Sequence, residues 1–237
     1  MIQSSLEKYK DLHIGKSAVI LTCGPSLLEY DKEKMQSFCQ DKIVFTIKQA
    51  IKKYPEISDY HFFNDNNFCK YDTPAVKIAS SANPLEMKRM VWKDQEIDIM
   101  LKVSSVTWDI RDSVSYKKNF DRMLIKEGET SRPWGPGIMY ETVLPLVLYT
   151  GIKEIYVNGW DYTTVDGKLK HYYDEKKAEK HLINTGKEIG TMSYGEKEVF
   201  LSSTEYLYDF LKEINVDLHL LSSCSQISDK FNRIHEI

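Results

Sequence analysis

Apolar residues along this chain gather in short, nearly unbroken runs rather than in strict alternation. SAVILT at 17–22 reads as a strand covered on both faces, and KIVFTI at 42–47, DYHFFN at 59–64, residues 76–80, residues 98–103, KEIYVN at 153–158 and VDLHLL at 216–221 each read as a strand. Segments with helical spacing lie between them. Residues 27–38 place Leu27, Leu28, Met35 and Phe38 at apolar positions of a helix, and residues 49–54 form a helical turn that Pro55 ends. Residues 84–90 read as a further helix. Residues 138–150 form a long apolar one, kinked at Pro145 and stopped at Gly151. Residues 203–214 predict a helix capped by Ser203. Residues 1–16 suggest a short polar helix, and residues 224–237 a turn with a short helix. Strands alternating with helices predict an α/β fold: a single Rossmann-like, mainly parallel sheet flanked by helices.

Two stretches break the pattern. Residues 104–132 are charged and lack a clean period, and they end in RPWGPG, a stiff loop of Pro and Gly. Residues 163–200 are polar and rich in Lys and Tyr, and they read as a small lid-like insert. That leaves 1–162 and 201–237 as the α/β domain.

Composition narrows the function classes. A chain of 237 residues with 42% hydrophobic residues can bury the core of one large domain. A net charge of −3 argues against a nucleic-acid partner. The four cysteines, Cys23, Cys39, Cys69 and Cys224, form no CxxC pair, so neither a disulfide framework nor a structural zinc site is expected. The N-terminus lacks the apolar segment of a signal peptide, and no run approaches the roughly 18–20 apolar residues of a membrane span. The expected location is cytoplasmic, with peripheral contact at the inner membrane and self-association left open. Fifteen tyrosines suit stacking on a base or sugar as well as an ordinary core.

Ligands of open parallel sheets bind beyond the carboxyl ends of the strands. Here those ends carry Cys23-Gly24-Pro25-Ser26, Asn64-Asp65 and Asn158-Gly159-Trp160-Asp161-Tyr162. If the three strands are neighbours, these loops line one crevice. Gly24 permits close backbone approach, Pro25 fixes the turn, and Ser26 opens a helix whose first N–H groups suit an anion. The same tripeptide also serves merely to start a helix. It is neither GxGxxG nor GxxxxGK[ST], so neither a standard dinucleotide site nor a P-loop is supported. Trp134-Gly135-Pro136-Gly137 is a second candidate anion or sugar loop, or a stiff connector. Asp161 suits a ribose hydroxyl, a metal or a helix cap.

These stretches resemble a known family. AVILTCGPSLLEYD, residues 18–31, is similar to the opening of the bacterial lipooligosaccharide sialyltransferases, where an apolar strand runs into an Asn-Gly-Pro-Ser-Leu type turn. GPGIMYETVLPLVLYTGIKEIYVNGWDYT, residues 135–163, resembles their second signature, and TEYLYDFLKEINVDLHLLSSCS, residues 204–225, is also similar. Residues 70–130 carry no such match. Motility-associated factors that glycosylate flagellin and archaeal pterin pyrophosphokinases share related domains. The resemblance implies a nucleotide-binding α/β fold with a lid, a cytidine monophosphate (CMP) sugar as donor, and no cofactor or metal. It further implies that Gly24, Pro25 and Ser26 hold the donor phosphate and ribose, with Gln49, Asn64 and Gly137 at further family positions. Asp65, Gly135, Gly159 and Trp160, from the loops read above, join them as candidate substrate-binding residues. Asp161, Tyr162, His171, Tyr172 and Tyr173 are the candidate catalytic residues, the tyrosines assisting the departing phosphate.

Three departures stand out. Lys48 replaces a family Asn and Pro136 a family Ser. The His that serves the family as general base before the last helix has no counterpart in EVFLSS, residues 198–203. His171, His181, Asp161 and Glu205 are the substitutes available. The expected function is transfer of a sialic-acid-like sugar from a CMP-sugar to a hydroxyl of a glycan or lipooligosaccharide-type acceptor. An ATP- and Mg²⁺-dependent pyrophosphokinase-like transferase, using Asp65 and Asp161, and a non-catalytic sugar-nucleotide-binding module are the alternatives.

Overall fold

β1 (Ser17–Leu21) sits at the centre of the molecule, with Ala18, Val19, Ile20 and Leu21 all fully buried. Successive side chains of a strand point to opposite faces. Ala18 and Ile20 therefore join one core cluster and Val19 and Leu21 another. A strand buried on both faces cannot alternate with polar residues, which is why its sequence is an unbroken apolar run. The computed structural model describes residues 6–64, 71–81, 97–107, 120–127, 129, 131–134, 137–165, 168–173 and 194–237.

Around β1 lie β2 (Ile43–Ile47), β3 (Tyr60–Asn64), β4 (Val76–Ser81), β5 (Ile99–Thr107), β6 (Arg132–Trp134), β7 (Glu154–Asn158), β10 (Asp217–Leu220) and β11 (Asn232–Arg233). A separate antiparallel hairpin pairs β8 (Thr164–Val165) with β9 (Lys168–Leu169). Among the described residues the main sheet runs β11-β10-β7-β1-β2-β3-β4-β5-β6 with every pair parallel, as the α/β pattern predicts. One face packs on α2 (Leu144–Tyr149) and α3 (Tyr194–Glu213) through Leu144, Val147, Leu207 and Leu211. The other face meets α1 (Lys32–Cys39) through Met35 and Cys39, together with Leu27 and Tyr54.

The helices depart from the sequence reading in four places. The helix expected over 27–38 is two pieces, a 3-10 turn Pro25–Leu28 and α1, because the Asp31 side chain accepts from Lys34 N at 2.7 Å and starts a new helix. The helix over 138–150 opens as a π-helical turn, Met139–Val143, and Pro145 falls in the first turn of α2, where its missing N–H costs little. α3 begins at Tyr194, so Ser203 is mid-helix rather than a cap; its hydroxyl bonds Phe200 O at 2.6 Å and Tyr140 Oη at 3.0 Å. Residues 224–237 hold the edge strand β11 and no helix. The expected helix at 84–90 lies outside the described residues.

Arg132, read in the sequence as part of a stiff loop, lies in β6 and is almost wholly buried. Its guanidinium donates to the carbonyls of Arg122 and Met123 at 2.9 and 2.8 Å and to the Glu129 carboxylate at 2.6 Å. It ties the irregular segment before β6 to the sheet. No helix among the described residues is long and apolar enough to cross a membrane.

His61, on β3, is fully buried against Phe63 and Tyr71; its Nδ1 lies 3.1 Å from Thr46 Oγ1, and its Nε2 has no partner among the described residues. Burial pushes its pKa down from 6.5 to about 3, with the nearby Lys77 charge adding to the effect. The unfolded chain therefore binds a proton that the folded chain refuses. The stability this group contributes is complete above pH 6.5 and is lost as pH falls below it. Urea unfolding should show wild-type stability dropping by about 2 kcal/mol more than that of His61→Phe between neutral pH and about pH 5. Parallel pH profiles for the two proteins would show that His61 is not held neutral.

Candidate functional site

The chain walks outward from β1 to β6 and then returns to place β7 on the other side of β1. At such a switch point the loops after the two neighbouring strands diverge and leave a crevice at their carboxyl ends. The turn Gly24–Ser26 follows β1, and Gly159–Tyr162 follows β7.

A dense set of hydrogen bonds joins these two loops. Thr22 N donates to Asn158 O at 2.8 Å, extending the β1–β7 pairing by one residue. Gly24 N donates to Gly159 O at 2.7 Å, and the Thr22 hydroxyl donates to the same carbonyl. Asp161 then closes the clasp: Oδ2 accepts from Ser26 N at 2.7 Å and Oδ1 from the Ser26 hydroxyl at 2.6 Å. The Ser26 oxygen itself accepts from Gly159 N at 2.9 Å. Asn158 Nδ2 donates to the carbonyls of Ser26, at 3.0 Å, and Leu221.

The glycines make this approach possible. A Cβ on Gly24 would lie 2.3 Å from Gly159 O and 2.4 Å from Asp161 Oδ2, and one on Gly159, whose φ is +85°, would lie 2.5 Å from Thr22 O. The first N–H of the Pro25–Leu28 turn, which the sequence suggests for an anion, is thus held by an anion of the chain itself. Burial raises the Asp161 pKa, opposed by its bonds from Ser26 and assisted by the nearby Glu29 charge.

Beside the clasp lies a cavity of about 270 Å³. Thr22, Cys23, Gly24, Gly159, Trp160, Asp161 and Tyr162 form its floor, from the ends of β1 and β7. Ile47 and Lys48 come from the end of β2, Gly137, Ile138 and Met139 from the start of the π-helical turn, Lys170 and His171 from beyond β9, and Phe200 from α3. The segment carrying Lys170 and His171 is strapped across the sheet ends: Tyr172 N donates to Cys23 O at 2.8 Å and Tyr172 Oη to Gln49 O at 2.7 Å. His171 stacks on Tyr173 with ring centroids 5.0 Å apart.

The lining is chemically lopsided. Lys48, Lys170 and His171 supply basic groups, whereas the Asp161 carboxylate is engaged by Ser26 and, at 3.4 Å, by Ser222. Tyr162 stacks on Phe200 at 5.8 Å, and burial pushes its phenol up to about 12, so at neutral pH it is a hydrogen-bond donor. Lys48 and Tyr162 have φ of +51° and +52°, which few residues other than glycine adopt, and both line the cavity. Strained backbone of this kind gathers where the surrounding structure holds a site in shape.

Of the residues singled out from the sequence, Gly24, Gly137, Gly159, Trp160, Asp161, Tyr162 and His171 meet at the cavity. Pro25 and Ser26 sit behind it in the clasp, with Ser26 fully buried. Gln49, Tyr172 and Tyr173 are buried in its supporting wall. Asn64 ends β3, which β2 separates from β1, so the three strand ends are not immediate neighbours and Asn64 is absent from the lining. Asp65, Gly135 and His181 lie outside the described residues. Lys170, Met139 and Phe200 escaped sequence reasoning; only Lys170 had a local signal, its place beside His171. Among the described residues no cluster of His, Cys, Asp and Glu has the makings of a metal site.

No protein-family model and no curated protein sequence matches the chain. Its fold is similar to that of a variant of the sialyltransferase CST-II in complex with CMP, at 16% identity over 92% of this chain and 86% of that one, with a TM-score of 0.52. Structures of CstII from Campylobacter jejuni with the substrate analogue cytidine-5'-monophosphate (16% identity, 93% and 85% covered, TM-score 0.49) and of the MAf glycosyltransferase from Magnetospirillum magneticum AMB-1 (11%, 99% and 38%, 0.48) are also matched.

The clasp is testable as a stability element. Gly24→Ala forces a methyl group onto Gly159 O and Asp161, and should lower the unfolding free energy by about 1–3 kcal/mol. Asp161→Ala strands the buried Ser26 N–H and hydroxyl, at about 1–3 kcal/mol for each donor left unpaired. Urea denaturation curves with unchanged slope measure both. Midpoints equal to wild type would show that the loops are not held this way.

Proposed function

We propose that this chain is a glycosyltransferase that moves a sugar from a CMP-linked donor to an acceptor hydroxyl, with the cavity beside the clasp as its active site. The observation that carries the reading is the meeting, at the β1/β7 switch point, of a basic lining with a histidine and a protonated tyrosine. The likeness in fold to a sialyltransferase that binds CMP supports the choice of donor. A sialic-acid-like sugar and a glycan or lipooligosaccharide-type acceptor complete the proposal.

In the proposed reaction the acceptor oxygen attacks the anomeric carbon, and the bond from that carbon to the phosphate oxygen breaks. The bonding pair stays on the phosphate, and the acceptor proton goes to a general base. His171 is the base in this reading. It lines the cavity, whereas Glu205 is exposed on α3 and the Asp161 carboxylate is engaged by Ser26. Tyr162 donates to the departing phosphate, whose charge grows as the bond breaks. The same engagement of Asp161 disfavours its use as a Mg²⁺ ligand, and with it the pyrophosphokinase reading.

Thermal unfolding with CMP, UDP, GDP and ATP, each with and without a chelator, tests the donor class. CMP at about 100 times its dissociation constant should add about 2.7 kcal/mol of stability whether or not metal is present. Stabilisation by ATP alone, and only with Mg²⁺, would replace this reading by the pyrophosphokinase one. For the base, His171→Gln should bind CMP like wild type yet release CMP from CMP-sialic acid about 10²–10⁴-fold more slowly. Undiminished release would remove His171 from the chemistry.

A further inference from the structure

Lys48 follows the end of β2, where the resembling family carries an uncharged Asn, and it is among the residues that line the cavity. We propose that Lys48 is the residue that meets the donor's phosphate, so that this site recognises a nucleotide by its charge. The inference rests on the reading of the cavity as the sugar-nucleotide site.

Three features support it. First, Lys48 holds a left-handed backbone, φ +51°, at the point where β2 passes into the 3-10 turn Lys48–Lys52. An Asn adopts that conformation more readily than a Lys does. A charged residue kept where an uncharged one would sit with less strain suggests that the charge is used. Second, the cavity needs a cation of its own. The N–H groups that would otherwise receive a phosphate at the Gly24–Ser26 turn are taken: Gly24 N by Gly159 O and Ser26 N by Asp161. Third, Lys170 and His171 stand on the strap across the cavity, so the basic groups come from two separate parts of the wall.

When the bond between the anomeric carbon and the phosphate oxygen breaks, its electron pair stays on the phosphate, which goes from one negative charge to two. The Lys48 ammonium keeps its proton and gains attraction as that charge grows. No proton passes to or from Lys48 in this step.

The test is calorimetric titration of the intact protein with CMP and, separately, with cytidine. Lys48→Asn removes the charge and suits the left-handed backbone, so folding is preserved. It should weaken CMP binding about 10- to 100-fold while changing cytidine binding by less than about 2-fold. Lys48→Arg keeps the charge and should stay within about 3-fold of wild type for CMP. Lys52→Met, an exposed charge removed from the same turn, should leave both ligands within about 2-fold. Equal CMP binding by wild type and Lys48→Asn would overturn the role of Lys48 while leaving the nucleotide site standing. Equal weakening of CMP and cytidine would overturn it as well, since the effect would then be one of shape. A wild-type protein that binds neither CMP nor cytidine would overturn both this inference and the reading beneath it.

Discussion

The bond pair from Ser26 to Asp161 is the constraint on which the rest of the site depends. Backbone bonds from Thr22 N and Gly24 N to the carbonyls of Asn158 and Gly159 carry the pairing of β1 and β7 just past the strand ends, where their loops diverge. One carboxylate, accepting from both the N–H and the hydroxyl of Ser26, closes the clasp beyond that point. It needs Gly24 and Gly159, because any side chain at either position meets the opposing carbonyl. Ser222, Ser225 and Gln226, in the loop after β10, then bond Asp161 or its neighbour Trp160 and hold the clasp from behind. The cavity floor is thus backbone tied by hydrogen bonds to β1, β7 and the loop after β10.

That bonding shapes the electrostatics. The donors most often used for anions in nucleotide-binding α/β folds, the first N–H groups of the turn after β1, are here satisfied internally. The basic residues at the cavity are instead Lys48, just past β2, and Lys170 and His171 on the strap. The strap is pinned by Tyr172 to the carbonyls of Cys23 and Gln49, so the basic residues stand at a defined place over the floor. Buried Tyr172 and Tyr173 support that wall; they do not face the cavity.

The strands were the most legible part of the fold. The unbroken run SAVILT reads as a strand covered on both faces, and the structure buries it at the centre of the sheet beside the strand from KEIYVN. Helix details were less legible because single side chains decide them: Asp31 caps α1 and splits the expected helix, and the π-helical turn before Pro145 has no propensity signal. Buried Arg132 was hidden because its partners are carbonyls, which every residue has. In the site, the Gly-Pro-Ser turn and the Gly-Trp-Asp-Tyr turn announced themselves, but their mutual contact did not. In the sequence Asp161 suits a ribose hydroxyl, a metal or a helix cap, and only the pairing of β1 with β7 shows it bonded to Ser26. The contribution of Phe200 and Met139 arises from tertiary packing alone and left no trace in local sequence.

A crystal structure of the protein grown with CMP would test the central claim most directly. The account predicts the nucleotide in the cavity beside the intact Ser26–Asp161 clasp, with a phosphate oxygen about 3 Å from the Lys48 ammonium and His171 on the side where a sugar would be attached. CMP bound elsewhere on the sheet, or bound at Ser26 N with Asp161 displaced, would contradict it.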